Sequence, residues 1–243
     1  MSLDRLEPRS LPLSTVPALD ENEAHVWLMQ LRDLPVMSID PEAARSARVR
    51  QQRMSQRFML RLLLGAYLGV PGKQIALRRT EAGKPELGPA FAASGLNFNL
   101  SHAGDLLALA IRRGAPIGID IESRERGVRA EPMARRWFSS EEHRLIVQLP
   151  DRLARTEFLR RWSMREAVIK TYGGRLGRHI ADVVPSTDDP CRLQRLPSGW
   201  PASSEWALRE IRGAPEAVGF LATTGRLDSV RGFRLALPSA PAR

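Results

Sequence analysis

Two carboxylates two positions apart on a strand, and a third four residues ahead of a lysine on a helix, are the side chains best spaced for chemistry. In Pro116-Ile117-Gly118-Ile119-Asp120-Ile121-Glu122 the isoleucines alternate strictly, so Gly118, Asp120 and Glu122 share the opposite face. Two acids side by side repel, and a divalent cation or a strongly basic ligand pocket would relieve them. A solvated acidic face on an edge strand is the reading without chemistry. In Trp162-Ser163-Met164-Arg165-Glu166-Ala167-Val168-Ile169-Lys170, Glu166 and Lys170 have the favourable i,i+4 order. A surface salt bridge is the ordinary fate of such a pair. Trp162, one turn before Glu166 on the same face, argues instead for partial burial, and buried charges need partners.

The acidic strand follows the chain break Gly114-Ala115-Pro116, which makes that break the best internal boundary. The acid and lysine fall on a helix expected from about Arg152 to Tyr172 and stopped by Gly173-Gly174. Between them, Ser139 and Glu142 have the spacing of a capping box and open a further helix. Upstream, residues 1–22 with Pro8, Pro12 and Pro17 read as an extended lead-in, and Ala24–Met29 as a first strand with His25 on its surface and outside any site. Asp40-Pro41-Glu42 opens a helix running to about Gln52, and Ser55–Leu68 forms a second, apolar one ending at Gly69. Arg53, Arg57 and Arg61 recur every four residues along these helices, a stripe that is either solvated or able to hold a phosphate. Gln74–Arg79 alternates like a strand, and Leu96–His102 with Leu106–Arg112 reads as a hairpin. Trp206–Ile211, Ala217–Thr223 and Gly232–Leu237 close the fold as strands, before a frayed tail at 238–243. Each half of the chain thus offers an apolar helix and short strands, which suggests two similar α+β halves.

At 243 residues and 43% hydrophobic content the chain is long and apolar enough for a packed core. The single Cys191 forms no internal disulfide, Met1–Ser10 carries charges where a signal peptide needs an apolar run, and Leu62–Val70 is too short to span a bilayer. A cytoplasmic protein without a membrane anchor is expected. The net charge of +10 suits a polyanionic partner: a nucleic acid, a phosphorylated cofactor, an acidic protein or a membrane surface. It is spread through the chain and by itself does not choose among them.

Taken in register, the segments 116–122, Trp137-Phe138-Ser139-Ser140-Glu141-Glu142 and 162–170, with Gly83-Lys84-Pro85 and Asn99-Leu100-Ser101-His102 upstream, resemble the signature of the 4′-phosphopantetheinyl transferases, in particular the long, surfactin-synthetase-activating (Sfp-type) group. The motifs span roughly Arg53 to Gly174, and the total length fits the long type.

The resemblance implies transfer of the phosphopantetheine arm of coenzyme A to a serine of apo acyl carrier proteins or peptidyl carrier domains, with release of adenosine 3′,5′-bisphosphate. It implies an α+β pseudo-dimer, each half a small antiparallel sheet packed with a long helix, the active site lying in the cleft between halves, and a monomeric chain. Residues 1–115 would serve the coenzyme A nucleotide, and residues 116–243 would carry the metal and catalytic motifs. Mg²⁺ would be held by Asp120, Glu122 and Glu166, with Glu166 taking the serine proton and Lys170 steadying the phosphate and leaving group. The 3′-phosphate and adenine would meet Lys84, Ser101, His102 and a helix arginine, Arg57 or Arg53. Arg165 stands where the family usually has Lys, so a planar guanidinium replaces an ammonium among the cofactor-binding residues. A basic nucleic-acid-binding protein would explain the charge but finds no binding motif and no aromatic stacking cluster. An Mg²⁺-dependent phosphodiesterase would share the acids but has no use for the Gly-Lys-Pro and Ser-His segments.

Overall fold

The structure, a computed structural model, describes residues 2–13, 15–33, 45–81 and 83–236. The expected helix start at Asp40-Pro41-Glu42, the end of the last strand at Leu237 and the tail 238–243 lie outside these residues. The elements in chain order are β1 (Ser2–Leu3), β2 (Leu6–Ser10), β3 (Glu23–Gln30), α1 (Arg45–Leu68), β4 (Leu77–Arg79), β5 (Pro85–Leu87), β6 (Leu96–Ala103), β7 (Leu106–Arg113), β8 (Ile117–Ser123), α2 (Ala130–Trp137), α3 (Ser140–Val147), α4 (Asp151–Tyr172), α5 (Leu176–His179), β9 (Val184–Pro185), β10 (Leu193–Arg195), β11 (Trp206–Ile211), β12 (Ala217–Thr224) and β13 (Ser229–Ala236). None of the described helices is long and apolar enough to cross a membrane.

One sheet runs β1-β11-β12-β8 and the other β2-β13-β3-β7-β6. Both are mixed rather than purely antiparallel as expected, because β13 lies parallel between β2 and β3 and β1 lies parallel to β11. The reason is connectivity. Only a hairpin connection obliges neighbours to run antiparallel, and β13 is far in sequence from both of its neighbours. The chain therefore interlaces its ends: its last strand completes the sheet built mainly of N-terminal strands, and its first strand joins the sheet containing the acidic strand β8.

Each sheet carries one long helix. Met59, Leu63 and Leu64 of α1 pack on Trp27, Leu109, Ile111 and Phe233, while Phe158, Leu159 and Val168 of α4 pack on Leu208, Phe220 and Ala222. A third apolar layer holds the two sheets together, with Ile117, Ile119 and Ile121 against Val26, Leu28, Ala108 and Ala110. The isoleucine ladder thus faces this inner layer, and the acidic face lies under α4. β8 is an edge strand of its sheet, yet its acidic face is not the solvated surface of the alternative reading, since Gly118 and Asp120 are buried.

Three further expectations change. The two helices expected around Gln52 and Ser55 are one continuous α1, because Arg, Gln, Met and Leu supply helix formers throughout with no proline or glycine between them. The apolar helix expected over Ser55–Leu68 does not bury all of its apolar residues: Phe58 is about half exposed, whereas its neighbour Met59 is buried. His25 is fully buried, its Nδ1 2.5 Å from the Tyr67 hydroxyl and its Nε2 3.1 Å from Glu23. The capping box is present: Ser139 Oγ accepts from the Glu142 amide and Glu142 Oε2 accepts from the Ser139 amide. Gly173 ends α4 in the left-handed conformation, φ +80°.

Gly118 lets the helix and strand touch. A Cβ there would overlap the Ala167 carbonyl oxygen and lie 2.5 Å from Thr171 Oγ1, which itself donates to the Ala222 carbonyl. Gly118→Ala is therefore expected to destabilise the fold by about 1–3 kcal/mol, as overpacking does, read as a lower urea midpoint at unchanged slope. An unchanged midpoint would mean that α4 does not rest on this glycine.

Candidate active site

Because α4 crosses the face of β8 at Gly118, its i,i+4 stripe of Trp162, Glu166 and Lys170 comes down beside Asp120 and Glu122. One carboxylate oxygen from each of Asp120, Glu122 and Glu166 lies within 4.8 Å of the other two. Lys170 Nζ donates to Asp120 Oδ1 at 2.5 Å and lies 3.5 Å from Glu166 Oε2. Trp162 Nε1 donates to Glu166 Oε1 at 2.7 Å, so the tryptophan one turn earlier does share the acid's face and fixes its rotamer. Glu122 Oε1 accepts from Arg126 on the loop that follows the strand.

Burial pushes the Asp120 carboxyl upward; the Lys170 ammonium opposes this and the Glu166 charge adds to it. Burial likewise raises Glu122 against the pull of Arg126. Burial works against the charge of Lys170, but Asp120 and Glu166 outweigh it and hold the ammonium protonated. Three acids gathered around one ammonium leave negative charge uncompensated, and Asp120 Oδ2 is buried with no hydrogen-bond partner. An orphaned carboxylate oxygen in an all-oxygen donor set, with no Cys or His, fits a hard divalent cation such as Mg²⁺.

α1 and the β4–β5 hairpin border a pocket of about 600 Å³. Arg53, Arg57 and Arg61 of α1 line it together with Arg78 and Arg79 of β4 and Leu100 of β6. The arginine stripe is therefore not merely solvated. Arg78 and Arg79 were missed by the sequence reading; their signal was an Arg-Arg pair at the end of a strand leading into Gly-Lys-Pro. Five guanidinium groups in one concave site can hold a phosphorylated ligand.

The remaining expected site residues are distributed differently. Lys84 Nζ donates to the carbonyls of Ile117 and Lys170, at 3.3 and 3.0 Å, and its burial lowers its pKa. His102 is exposed, its imidazole pKa lowered by partial burial and by the charge of Lys170. Ser101 faces the acidic cluster, donating to Asp120 Oδ1 at 2.7 Å. Arg165 is not brought to the site. It lies around the helix from Glu166 and is fully buried, with Nη2 2.5 Å from Glu142 Oε2 and its guanidinium 4.0 Å from the Phe138 ring centre. A buried arginine needs a carboxylate, and the capping Glu142 supplies it. That second use of Glu142 was not legible from the capping spacing alone.

Comparison with known proteins covers most of the chain. Residues 116–218 match the 4′-phosphopantetheinyl transferase superfamily, and residues 43–113 match the family described as 4′-phosphopantetheinyl transferase, N-terminal. The chain is 32% identical over 228 residues to the 4′-phosphopantetheinyl transferase HetI of Nostoc sp., covering 88% of this chain and 93% of that protein. It is 33% identical over 207 residues to the human L-aminoadipate-semialdehyde dehydrogenase-phosphopantetheinyl transferase, covering 76% of this chain and 65% of that longer protein. It is 32% identical over 166 residues to the 4′-phosphopantetheinyl transferase psf-1 of Bacillus pumilus, covering 64% of this chain and 65% of that protein.

Proposed function

The chain belongs to the 4′-phosphopantetheinyl transferases, enzymes that move phosphopantetheine onto carrier proteins, and on that premise we propose that Asp120, Glu122, Glu166 and Lys170 carry its chemistry while the arginine-lined pocket holds the nucleotide of coenzyme A. The observation that carries this reading is the convergence of three carboxylates around one lysine, with a buried carboxylate oxygen left without a partner.

Asp120, Glu122 and Glu166 would hold Mg²⁺, which would neutralise pyrophosphate charge that otherwise repels an approaching oxygen. Glu166, fixed by Trp162, accepts the proton of the carrier serine. The serine oxygen forms its bond to the phosphorus that bears the pantetheine arm, and the bond from that phosphorus to the bridging oxygen breaks. Adenosine 3′,5′-bisphosphate leaves with the bridging oxygen. Lys170 stabilises the charge that accumulates on the departing phosphate. Arg57 and Arg53 bind the 3′-phosphate and adenine side, with Lys84 and His102 adding charge or hydrogen bonds to the phosphates. The matched segments meet at the break 114–116, which supports a nucleotide-binding half, 1–115, and a catalytic half, 116–243, that exchange one strand each, β1 and β13, between their sheets. The two halves act as a pseudo-dimer in a single chain, with the site in the cleft between them, and the enzyme works as a monomer. Its excess positive charge suits the acidic faces of acyl and peptidyl carriers alike.

The test is modification of a panel of apo carriers with coenzyme A and Mg²⁺, read by mass. Addition of phosphopantetheine to at least one carrier, abolished by chelation, is the expected result; no modification of any carrier would count against the reading. For the pocket, Arg57→Ala should raise the KM for coenzyme A about tenfold or more, the loss of one charge-assisted hydrogen bond, with kcat little changed. The variant should also lose the parent's greater thermal stabilisation by coenzyme A than by dephospho-coenzyme A. Full retention of that preference would remove Arg57 from the 3′-phosphate.

A further inference from the structure

The two sheets abut at β6 and β8, each the last strand of its own sheet. Among the described residues no backbone ladder joins them. β6 side chains instead stand in for the absent neighbour: Asn99 Oδ1 accepts from the Ile119 amide at 3.0 Å and Ser101 Oγ accepts from the Ile121 amide at 3.4 Å. Asn99 and Ser101 are buried, 4% and 7% exposed, so water does not compete for these amides. The two contacted amides are those on either side of Asp120.

The Ser101 hydroxyl has one proton to give and two lone pairs with which to accept. Its lone pairs face the Ile121 amide and Lys170 Nζ, the latter at 3.3 Å, and its proton goes to Asp120 Oδ1 at 2.7 Å. The hydroxyl thus ties the Ile121 amide, Lys170 and Asp120 together at one point. With Oδ1 taken by Ser101 and Lys170, the carboxylate is turned so that Oδ2 alone is unpartnered.

We infer that Ser101, supported by Asn99, is a positioning residue for the cation site: it sets the rotation of Asp120 from across the seam between the sheets. The inference rests on the reading of Asp120, Glu122 and Glu166 as ligands of a divalent cation. It makes the geometry of the metal site depend on a strand outside the sheet that supplies Asp120 and Glu122.

The experiment is titration of the full-length protein with Mn²⁺, without coenzyme A, following free Mn²⁺ by electron paramagnetic resonance. The parent, Ser101→Ala, Ser101→Cys and Ser101→Thr are compared, with Asp120→Asn as the control for the site. Loss of a partner that orients a ligand typically weakens metal binding by about 10- to 100-fold, so Ser101→Ala is expected at least roughly tenfold weaker than the parent. Ser101→Cys, which keeps the volume but donates weakly, should be weakened as well and carries the test should the alanine variant fail to fold. Ser101→Thr, which keeps the oxygen, should recover most of the affinity. Parental Mn²⁺ affinity in Ser101→Ala or Ser101→Cys would overturn the inference while leaving the cation site standing. A parent that binds no Mn²⁺, or an Asp120→Asn variant that binds it as the parent does, would overturn the cation reading and this inference with it.

Discussion

Glu166→Gln is expected to remove nearly all transferase activity while leaving the protein folded. The amide preserves the volume of the side chain and an oxygen for the Trp162 Nε1 bond, 2.7 Å long in the parent. It removes the negative charge that completes the three-carboxylate cluster and the basicity needed to accept the serine proton. Loss of a general base costs on the order of 10²–10⁴ in rate, and loss of a metal ligand adds to it. Were Glu166 only the surface partner of Lys170, its removal would cost less than about 1 kcal/mol of stability and nothing in rate. Initial rates at saturating coenzyme A and Mg²⁺, at equal folded concentration, separate the two. A variant within about twofold of the parent would dismantle the catalytic assignment, since no 10²-fold contribution could then belong to this carboxylate.

Periodicity was enough to read the acidic strand and the site helix, because both residues of interest sit on regular elements. Strict alternation around Asp120 and the i,i+4 spacing of Trp162, Glu166 and Lys170 each define a face, and a face is what the structure preserves. What periodicity leaves open is which partner a face meets. The isoleucine face of β8 was legible as buried, but the acidic face was not, since only the bare Cα of Gly118 allows α4 to close over it. The arginine stripe on α1 was visible, yet its opposite wall, Arg78 and Arg79, belongs to a short strand whose pairing with β5 depends on a turn rather than on a hydrophobic pattern.

Residues with the right type but the wrong direction were the least legible. Arg165 adjoins Glu166 in sequence, and one step along a helix turns a side chain through 100°, away from the strand and into the packing between α4 and α3. Ser101 adjoins the pocket-lining Leu100, and one step along a strand turns it to the other face, toward Asp120. The mixed sheets escaped for a further reason: pairing between β13 and strands more than 200 residues earlier is a tertiary fact that no local window contains.

The largest effect on stability is expected at Glu142, which is fully buried with Arg165 Nη2 at 2.5 Å, Arg161 Nη1 at 3.2 Å and the Ser139 amide at 3.2 Å. Glu142→Ala leaves the two arginines buried beside each other, with only Arg161 retaining a second carboxylate, Glu157 at 2.7 Å. Breaking a buried pair by removing one partner costs about 3–5 kcal/mol, a large part of the roughly 5–15 kcal/mol that holds a typical domain folded. Burial pulls the Glu142 carboxyl up, but Arg165, the Ser139 amide and Arg161 hold it below its ordinary value of 4.5. The unfolded chain therefore takes up this proton first. The contribution of Glu142 is full above about pH 4.5 and fades as the pH falls through its depressed folded value, so parent and variant should converge in acid. A paired replacement gives the sharper measurement. Glu142→Leu with Arg165→Met exchanges the ion pair for apolar side chains, an exchange that is often neutral, so most of the urea midpoint lost in Glu142→Ala should return. If Arg165 acts only through the fold, this double variant keeps the parental KM for coenzyme A, whereas a KM raised tenfold or more at equal folded concentration would put its guanidinium on the phosphates after all.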